Sequence, residues 1–294
     1  MSPKIWTIKE LLKVTTDYLK TKKIDSPRLV AEILLAHQLN INRIKLYLNF
    51  DQPLRKSEIT GYRSLITRRL GREPLQYIIG IQEFWSQDFI VGMQVMIPRP
   101  ESELLVEQVI SLCKGGRLPE NQNYRILDLG TGSGVLAISL AGELEEASLW
   151  ASDISRDALN LARLNTQKHG VEGRIEFCLG DMWQAFLDQD LKFDIILSNP
   201  PYIASEAIDT LPAEVRDYEP RLALDGREEG MYFISKIIME GPKYLNPGGW
   251  LLLEMDPKQT TKAFILIEES DSYKEKVRLK DFSNRYRVVM AKKK

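Results

Sequence analysis

From Arg99 to the C-terminus, short apolar runs of strand length alternate with stretches of helical period, and this alternation restricts the available folds more than any other feature. YRILDLG, SLWASDI, RIEFCLGD, FDIILSN and WLLLEMD read as strands. ESELLVEQVISLC, SGVLAISLAGEL, RDALNLARLNTQKHG and EEGMYFISKIIMEGPKYL read as helices before and between them. This is the rhythm of a doubly wound α/β fold, a mostly parallel sheet with helices on both faces. The final stretch, KEKVRLKDFSNRYRVVMAKK, differs: it predicts two strands joined by a turn at Phe282 to Asn284, an antiparallel hairpin at the sheet edge. The expected sheet then has seven strands.

The first 75 residues have helical character throughout. Thr7 with Glu10 forms a capping box ahead of the apolar stripe Ile8, Leu11, Leu12, Thr15 and Leu19. Ser26-Pro27 offers preferred N-cap and N1 chemistry for a second helix, and RLVAEILLAHQL and SEITGYRSLITRRLGRE continue the period, so a small helical bundle is expected. From Pro74, PLQYIIGIQEFWSQDFIVGMQVMIP is rich in β-branched and aromatic residues with glycine punctuation, which predicts a linker and a hairpin. The expected domains are residues 1–75, 76–96 as the linker with its hairpin, and 97–294.

Charge divides along the same line. Residues 1–75 hold 15 Lys and Arg against 7 Asp and Glu, a net of +8, and the remainder holds 25 against 34, a net of −9. Such a split suggests two domains with different partners. No apolar run approaches the roughly 18 residues needed to cross a bilayer. The start, MSPKIWTIKE, lacks the apolar core of a signal peptide, so a cytoplasmic protein without membrane contact is expected. Cys113 and Cys178 are expected as unpaired thiols. His37 and His169 have no cysteine or carboxylate at ligand spacing, and no metal site is expected.

Between the first strand and its helix lies DLGTGSG, Asp128 to Gly134. Glycines at 130, 132 and 134 let the backbone turn tightly and approach a ligand at the strand's carboxyl end. The spacing is neither the G-x-G-x-x-G of a dinucleotide site nor a P-loop, so a nucleoside with a tail other than phosphate is expected. Asp153 closes the next strand, where a carboxylate can accept hydrogen bonds from both ribose hydroxyls, and Asp181 follows the third, placed for an adenine amino group. The helix N-terminus near Ser133 suits a carboxylate. S-adenosylmethionine fits this description.

The fourth strand runs into Asn199-Pro200-Pro201-Tyr202. Prolines cannot donate to a sheet, so the chain must leave it at Asn199 as a stiff loop beside the adenosyl pocket. The combination resembles methyltransferases that modify planar, poorly nucleophilic nitrogens, on bases or side-chain amides. The Asn199 side-chain oxygen and the Pro200 carbonyl can each accept one N–H of such a nitrogen, freeing its lone pair, while Tyr202 can stack on the flat group.

IPRPESELLVE (Ile97 to Glu107), DLGTGSG, SNPPYI and YEPRLALDGREEG (Tyr218 to Gly230), in that order, resemble the PrmC/HemK family of glutamine-N5 methyltransferases, over essentially the whole chain. The resemblance implies a class I S-adenosylmethionine-dependent methyltransferase fold preceded by a helical substrate-docking domain, and peptide chain release factors as protein substrates. It implies that Gly130, Thr131, Gly132, Ser133, Gly134 and Asp153 hold the cofactor, that Asn199 to Tyr202 hold the glutamine of a Gly-Gly-Gln loop, and that Met182 or Trp183 covers the adenine. Ser102 stands where the family has threonine, and Met255-Asp256 where a glycine is expected after Glu254, which is given no role beyond ending a strand. Arg99 and Glu101 are expected to brace the pocket. A nucleic-acid amino methyltransferase of the adenine N6 type is the alternative. The negative charge of the larger domain argues against nucleic acid.

Overall fold

The computed structural model describes residues 5–118, 123–187 and 190–294. The chain divides into two compact units. One takes the described residues up to Gly80 together with Ala213–Tyr218, and the other Ile81–Pro212 with Glu219–Lys294.

The first unit holds helices α1 (Ile8–Thr21), α2 (Pro27–Leu39), α3 (Arg43–Leu48), α4 (Lys56–Leu70) and α5 (Leu75–Ile79). The Thr7–Glu10 capping box is formed, and the predicted stripe of α1 is the face it buries. Helix α2 starts at the expected place by a different route: Ser26 adopts a left-handed conformation (φ 47°) and its side chain makes no capping bond, so Pro27 at the first position sets the start. Sequence reading missed α3, six residues long, and α5, which lies in the stretch read as linker. Buried Glu32 of α2 accepts hydrogen bonds from Arg28 Nε and the Tyr47 hydroxyl, both at 2.5 Å, so its charge is paired inside the bundle. Ala213–Arg216 forms a helical turn whose Glu214 accepts from Arg69 at 3.0 Å and Arg72 at 3.3 Å.

The second unit opens with the antiparallel pair β1 (Ile81–Phe84) and β2 (Gln87–Ile90). Both turn residues, Trp85 and Ser86, have positive φ, and the turn is held by a hydrogen bond from the Trp85 N–H to Glu103 at 2.8 Å. Then follow α6 (Glu103–Lys114), β3 (Arg125–Leu129), α7 (Val135–Glu143), β4 (Ser148–Asp153), α8 (Arg156–His169), β5 (Ile175–Leu179) and β6 (Phe193–Ser198). After the helical turn at Ala213–Arg216, here α9, come α10 (Arg221–Leu224), α11 (Tyr232–Glu240), β7 (Leu245–Glu254), α12 (Thr260–Glu269), which the sequence reading did not separate, β8 (Tyr273–Lys280) and β9 (Tyr286–Lys293).

The main sheet has seven strands in the order β5-β4-β3-β6-β7-β9-β8. Strands β5 to β7 pair in parallel, and β9 and β8 close the edge as the expected antiparallel hairpin. The central strands β3 and β6 are buried along most of their length because both faces are covered. Trp250 and Leu252 pack into one core with α6 and α7, and Leu251 and Leu253 into the other with α11 and α12. Winding reverses between β3 and β6, and a doubly wound sheet opens its ligand crevice at the carboxyl ends of such a pair. Cys113 and Cys178 are free and half-buried, and no helix among the described residues is long and apolar enough to cross a membrane.

Candidate active site

A cleft opens at that reversal. Its walls include Gly130 to Ser133, Asp153, Asp181, Met182 and Asn199 to Pro201, together with Pro98, Ser102, Pro220, Leu222 and Phe233.

The glycine turn is fixed by the neighbouring strand, since the N–H groups of Gly130 and Thr131 both donate to the Ser152 carbonyl, at 2.8 and 2.9 Å. Gly130 (φ 80°) and Gly132 (φ 55°) lie in the left-handed region, and a Cβ on either would meet nothing within 4 Å. Their missing side chains therefore leave open space over the turn, which fits a ligand lying on the backbone. Gly134 (φ 83°) serves packing instead: a Cβ there would come to 3.0 Å from Ala162 of α8.

Asp153 accepts hydrogen bonds from the N–H of Gly132 at 2.9 Å and of Ser155 at 2.8 Å. It does not cap α8; Ser155 does, accepting from Ala158 N at 3.1 Å. Two backbone donors leave a carboxylate further lone pairs for other partners. Burial pushes the Asp153 carboxyl upward, against the backbone hydrogen bonds that hold it down. Its neighbour Asp128 is fully buried, takes a 2.6 Å bond from the Thr131 hydroxyl, and is pushed up to about 7 by burial. It ties the glycine turn to the sheet.

Met182 and Trp183 diverge. Met182 takes a positive φ of 54° and lines the cleft. Trp183 is buried, stacked on Tyr244 with ring centres 4.4 Å apart, in the core beneath α11. Its indole already has a face-to-face partner inside the protein, and Met182 is the one of the pair that lines the cleft.

Asn199, Pro200 and Pro201 line the cleft, whereas the Tyr202 ring packs against the core that holds Met231 and Leu253, and burial followed by the nearby Glu254 pushes its phenol up to about 12. What Tyr202 contributes is backbone. Its carbonyl accepts from Gln259 Nε2 at 2.8 Å. Ile203 N donates to Leu224 O, and Gly226 N to Ile203 O. The loop is pinned against the 224–230 segment so closely that a Cβ on Gly230 would fall 2.0 Å from the Tyr202 carbonyl oxygen.

Asn199 donates through its side-chain nitrogen to the Ser102 hydroxyl at 2.9 Å, and its Oδ1, shielded from solvent, has no hydrogen-bond partner among the described residues. Arg99 pairs with buried Glu219, which also accepts from Ile97 N at 3.2 Å. The IPRPES segment is thereby tied to the YEPRLAL segment, and burial raises the Glu219 carboxyl against the pull of Arg99. The sequence reading assigned no role to Glu219 or to Glu254. Glu219 stood inside a quoted segment, but nothing local marked its partner.

A seven-stranded sheet with this strand order, a glycine turn after its first parallel strand and an acid at the end of the next defines a class I methyltransferase. Solved structures with the same fold include the 16S rRNA N2 G1207 methyltransferase RsmC of T. thermophilus, 20% identical, covering 73% of this chain and 50% of that one at a TM-score of 0.50. The hMettl16 catalytic domain is 16% identical, covering 70% and 74%, at 0.52. The PrmC N-terminal domain profile matches residues 10–80, and the methyltransferase small domain profile residues 112–215. The release factor glutamine methyltransferase of Geobacter sulfurreducens is 43% identical over 86% of this chain and 85% of its own length. That of Rhodopirellula baltica is 37% identical over 98% and 97%. The chain belongs to the release factor glutamine methyltransferase family.

Proposed function

We infer that this protein transfers a methyl group from S-adenosylmethionine to the side-chain amide nitrogen of glutamine in peptide chain release factors, as its relatives are named for doing. The cleft fits the cofactor: open space over Gly130 and Gly132, a carboxylate at Asp153 with lone pairs to spare, and Met182 on the wall. Bound there, S-adenosylmethionine supplies an electrophilic methyl group on a sulfonium. In this reading Asp153 holds the ribose hydroxyls, Asp181 the adenine amino group, and the turn from Gly130 to Gly134 the rest of the nucleoside and its tail.

The observation that carries the reading is Asn199. One N–H of its amide donates to Ser102 and its oxygen, shielded from solvent, has no hydrogen-bond partner among the described residues, which leaves the amide an acceptor for a group that enters the cleft. A glutamine amide nitrogen shares its lone pair with its own carbonyl and is a poor nucleophile. With Asn199 Oδ1 taking one N–H and the Pro200 carbonyl the other, the lone pair is turned out of that conjugation, and the two prolines keep the acceptors from moving. A strong general base is not required, because the nitrogen becomes acidic once alkylated and loses its proton to water. The substrate segment is the Gly-Gly-Gln loop, whose glycines let a glutamine reach into a narrow cleft.

The deciding experiment incubates the protein with labelled S-adenosylmethionine and either a purified release factor or nucleic acid, then locates the label by mass spectrometry. Label on the glutamine of Gly-Gly-Gln is expected. Label on an adenine or guanine amino group would replace this reading with the nucleic-acid one.

A further inference from the structure

Glu254 ends β7 with 1% of its surface exposed, and its carboxyl is hydrogen-bonded by the Ser102 hydroxyl. Ser102, 3% exposed, stands just ahead of α6 and accepts from Asn199 Nδ2. The three side chains come from three separate stretches of the chain, the end of β7, the turn before α6 and the loop after β6, and form one chain of hydrogen bonds ending at the amide that lines the cleft. A hydroxyl carries one proton. When Ser102 gives that proton to the Glu254 carboxylate, only its lone pairs remain for Asn199, so the nitrogen of the amide must face Ser102 and the oxygen is left for the substrate.

We propose that Glu254 is a positioning residue for methyl transfer, acting through Ser102 to fix which end of the Asn199 amide is offered to the substrate nitrogen. The inference rests on the reading of Asn199 given above. A protonated Glu254 would invert the chain: its own proton goes to Ser102, the serine proton becomes available to Asn199 Oδ1, and the amide turns its N–H groups toward a substrate that also brings N–H groups. The groups facing Glu254 are Arg287 of β9, Arg99 and Glu101 of the segment before α6, and the Tyr202 phenol. Burial outweighs the hydrogen bond from Ser102 and the arginines and pushes the Glu254 carboxyl up to about 7. Neither the glutamine amide nor the sulfonium titrates near that value, and because Asp128 under the glycine turn is also pushed up to about 7, the step is assigned to Glu254 only by its loss in Glu254→Gln or Ser102→Ala.

The test compares wild type, Glu254→Gln, Ser102→Ala, Ser102→Thr and the Glu254→Gln/Ser102→Ala double variant, by single-turnover methylation of a release factor from pH 5.5 to 8.5, with cofactor affinity from calorimetry. Wild type and Ser102→Thr should gain rate as pH rises through about 7, where Glu254 ionises. Glu254→Gln and Ser102→Ala should lose on the order of tenfold or more at pH 8 and show no such step, with cofactor affinity unchanged. The double variant should be no worse than the poorer single one, because both break one chain. If Glu254→Gln fails to fold, loss of the step in Ser102→Ala alone decides. A wild-type rate and pH profile in either single variant, or losses that multiply in the double, would overturn the proposal. A wild type that leaves the release factor unmethylated would instead overturn the proposed function.

Discussion

The Asn199 side-chain nitrogen meets the Ser102 hydroxyl at 2.9 Å, a contact between residues 97 positions apart that leaves Asn199 Oδ1 without a partner among the described residues. One positioned acceptor of developing charge is worth about 10² to 10³ in rate. Asn199→Ala is therefore expected to lower single-turnover methylation by that order while calorimetry finds cofactor affinity nearly intact. Equal losses in binding and rate would place Asn199 in the cofactor pocket instead.

Asp153→Ala should behave in the opposite way. Bonds from a carboxylate to ribose are made equally in ground and transition states, and charged hydrogen bonds are worth roughly 1.5 to 3 kcal/mol, so cofactor affinity should fall about ten- to a hundredfold. Because Ser155 already caps α8, an unchanged affinity could not be explained by capping and would mean that the carboxylate only orders the glycine turn through Gly132.

Gly230→Ala should destabilise the second unit more than Gly170→Ala. Both glycines have positive φ, but a Cβ at Gly170 meets nothing within 4 Å, whereas at Gly230 it meets the Tyr202 carbonyl at 2.0 Å. Strain of about 1 to 3 kcal/mol beyond the shared backbone cost corresponds to a further drop of roughly 3 to 10 °C in melting temperature. Equal melting temperatures would show that the loop from Asn199 to Ile203 yields easily and is not the rigid platform described above.

The charge split of +8 against −9 predicts a docking role for the basic segment. A single glutamine is too small for a selective protein contact, since specific interfaces bury about 800 Å² per partner. Methylation of an intact release factor should fall steeply with rising salt, while weak activity on a short Gly-Gly-Gln peptide should hardly respond. Truncation at residue 75 is a poor test, because Glu214 would lose Arg69 and Arg72 together. Charge reversal at exposed Lys13 and Lys45 is cleaner: activity on the intact factor should drop several-fold and peptide activity should hold. Equal effects on the two substrates would sink the docking idea.

Periodicity and local chemistry determined much of this protein from sequence alone. The alternation after Arg99 yields the parallel strands, and the stripe of α1 with its Thr7–Glu10 box yields the first helix, because both depend on residues a few positions apart. The cleft was legible for a related reason: a glycine turn, Asp153 and Asn199 each stand at a strand's carboxyl end, and a doubly wound sheet gathers those ends. Tertiary structure alone decided what lies behind them. Nothing local separates Met182 from Trp183, but a positive φ at Met182 sends one into the cleft and the other onto Tyr244 in the core. Tyr202 likewise turned to the core, leaving its carbonyl to anchor the loop. Glu219 holds Arg99 across 120 residues of sequence, and Ser102 stands between Asn199 and Glu254. A buried carboxylate is stable only with partners, and those partners are brought together by packing of distant segments, which no window of sequence contains.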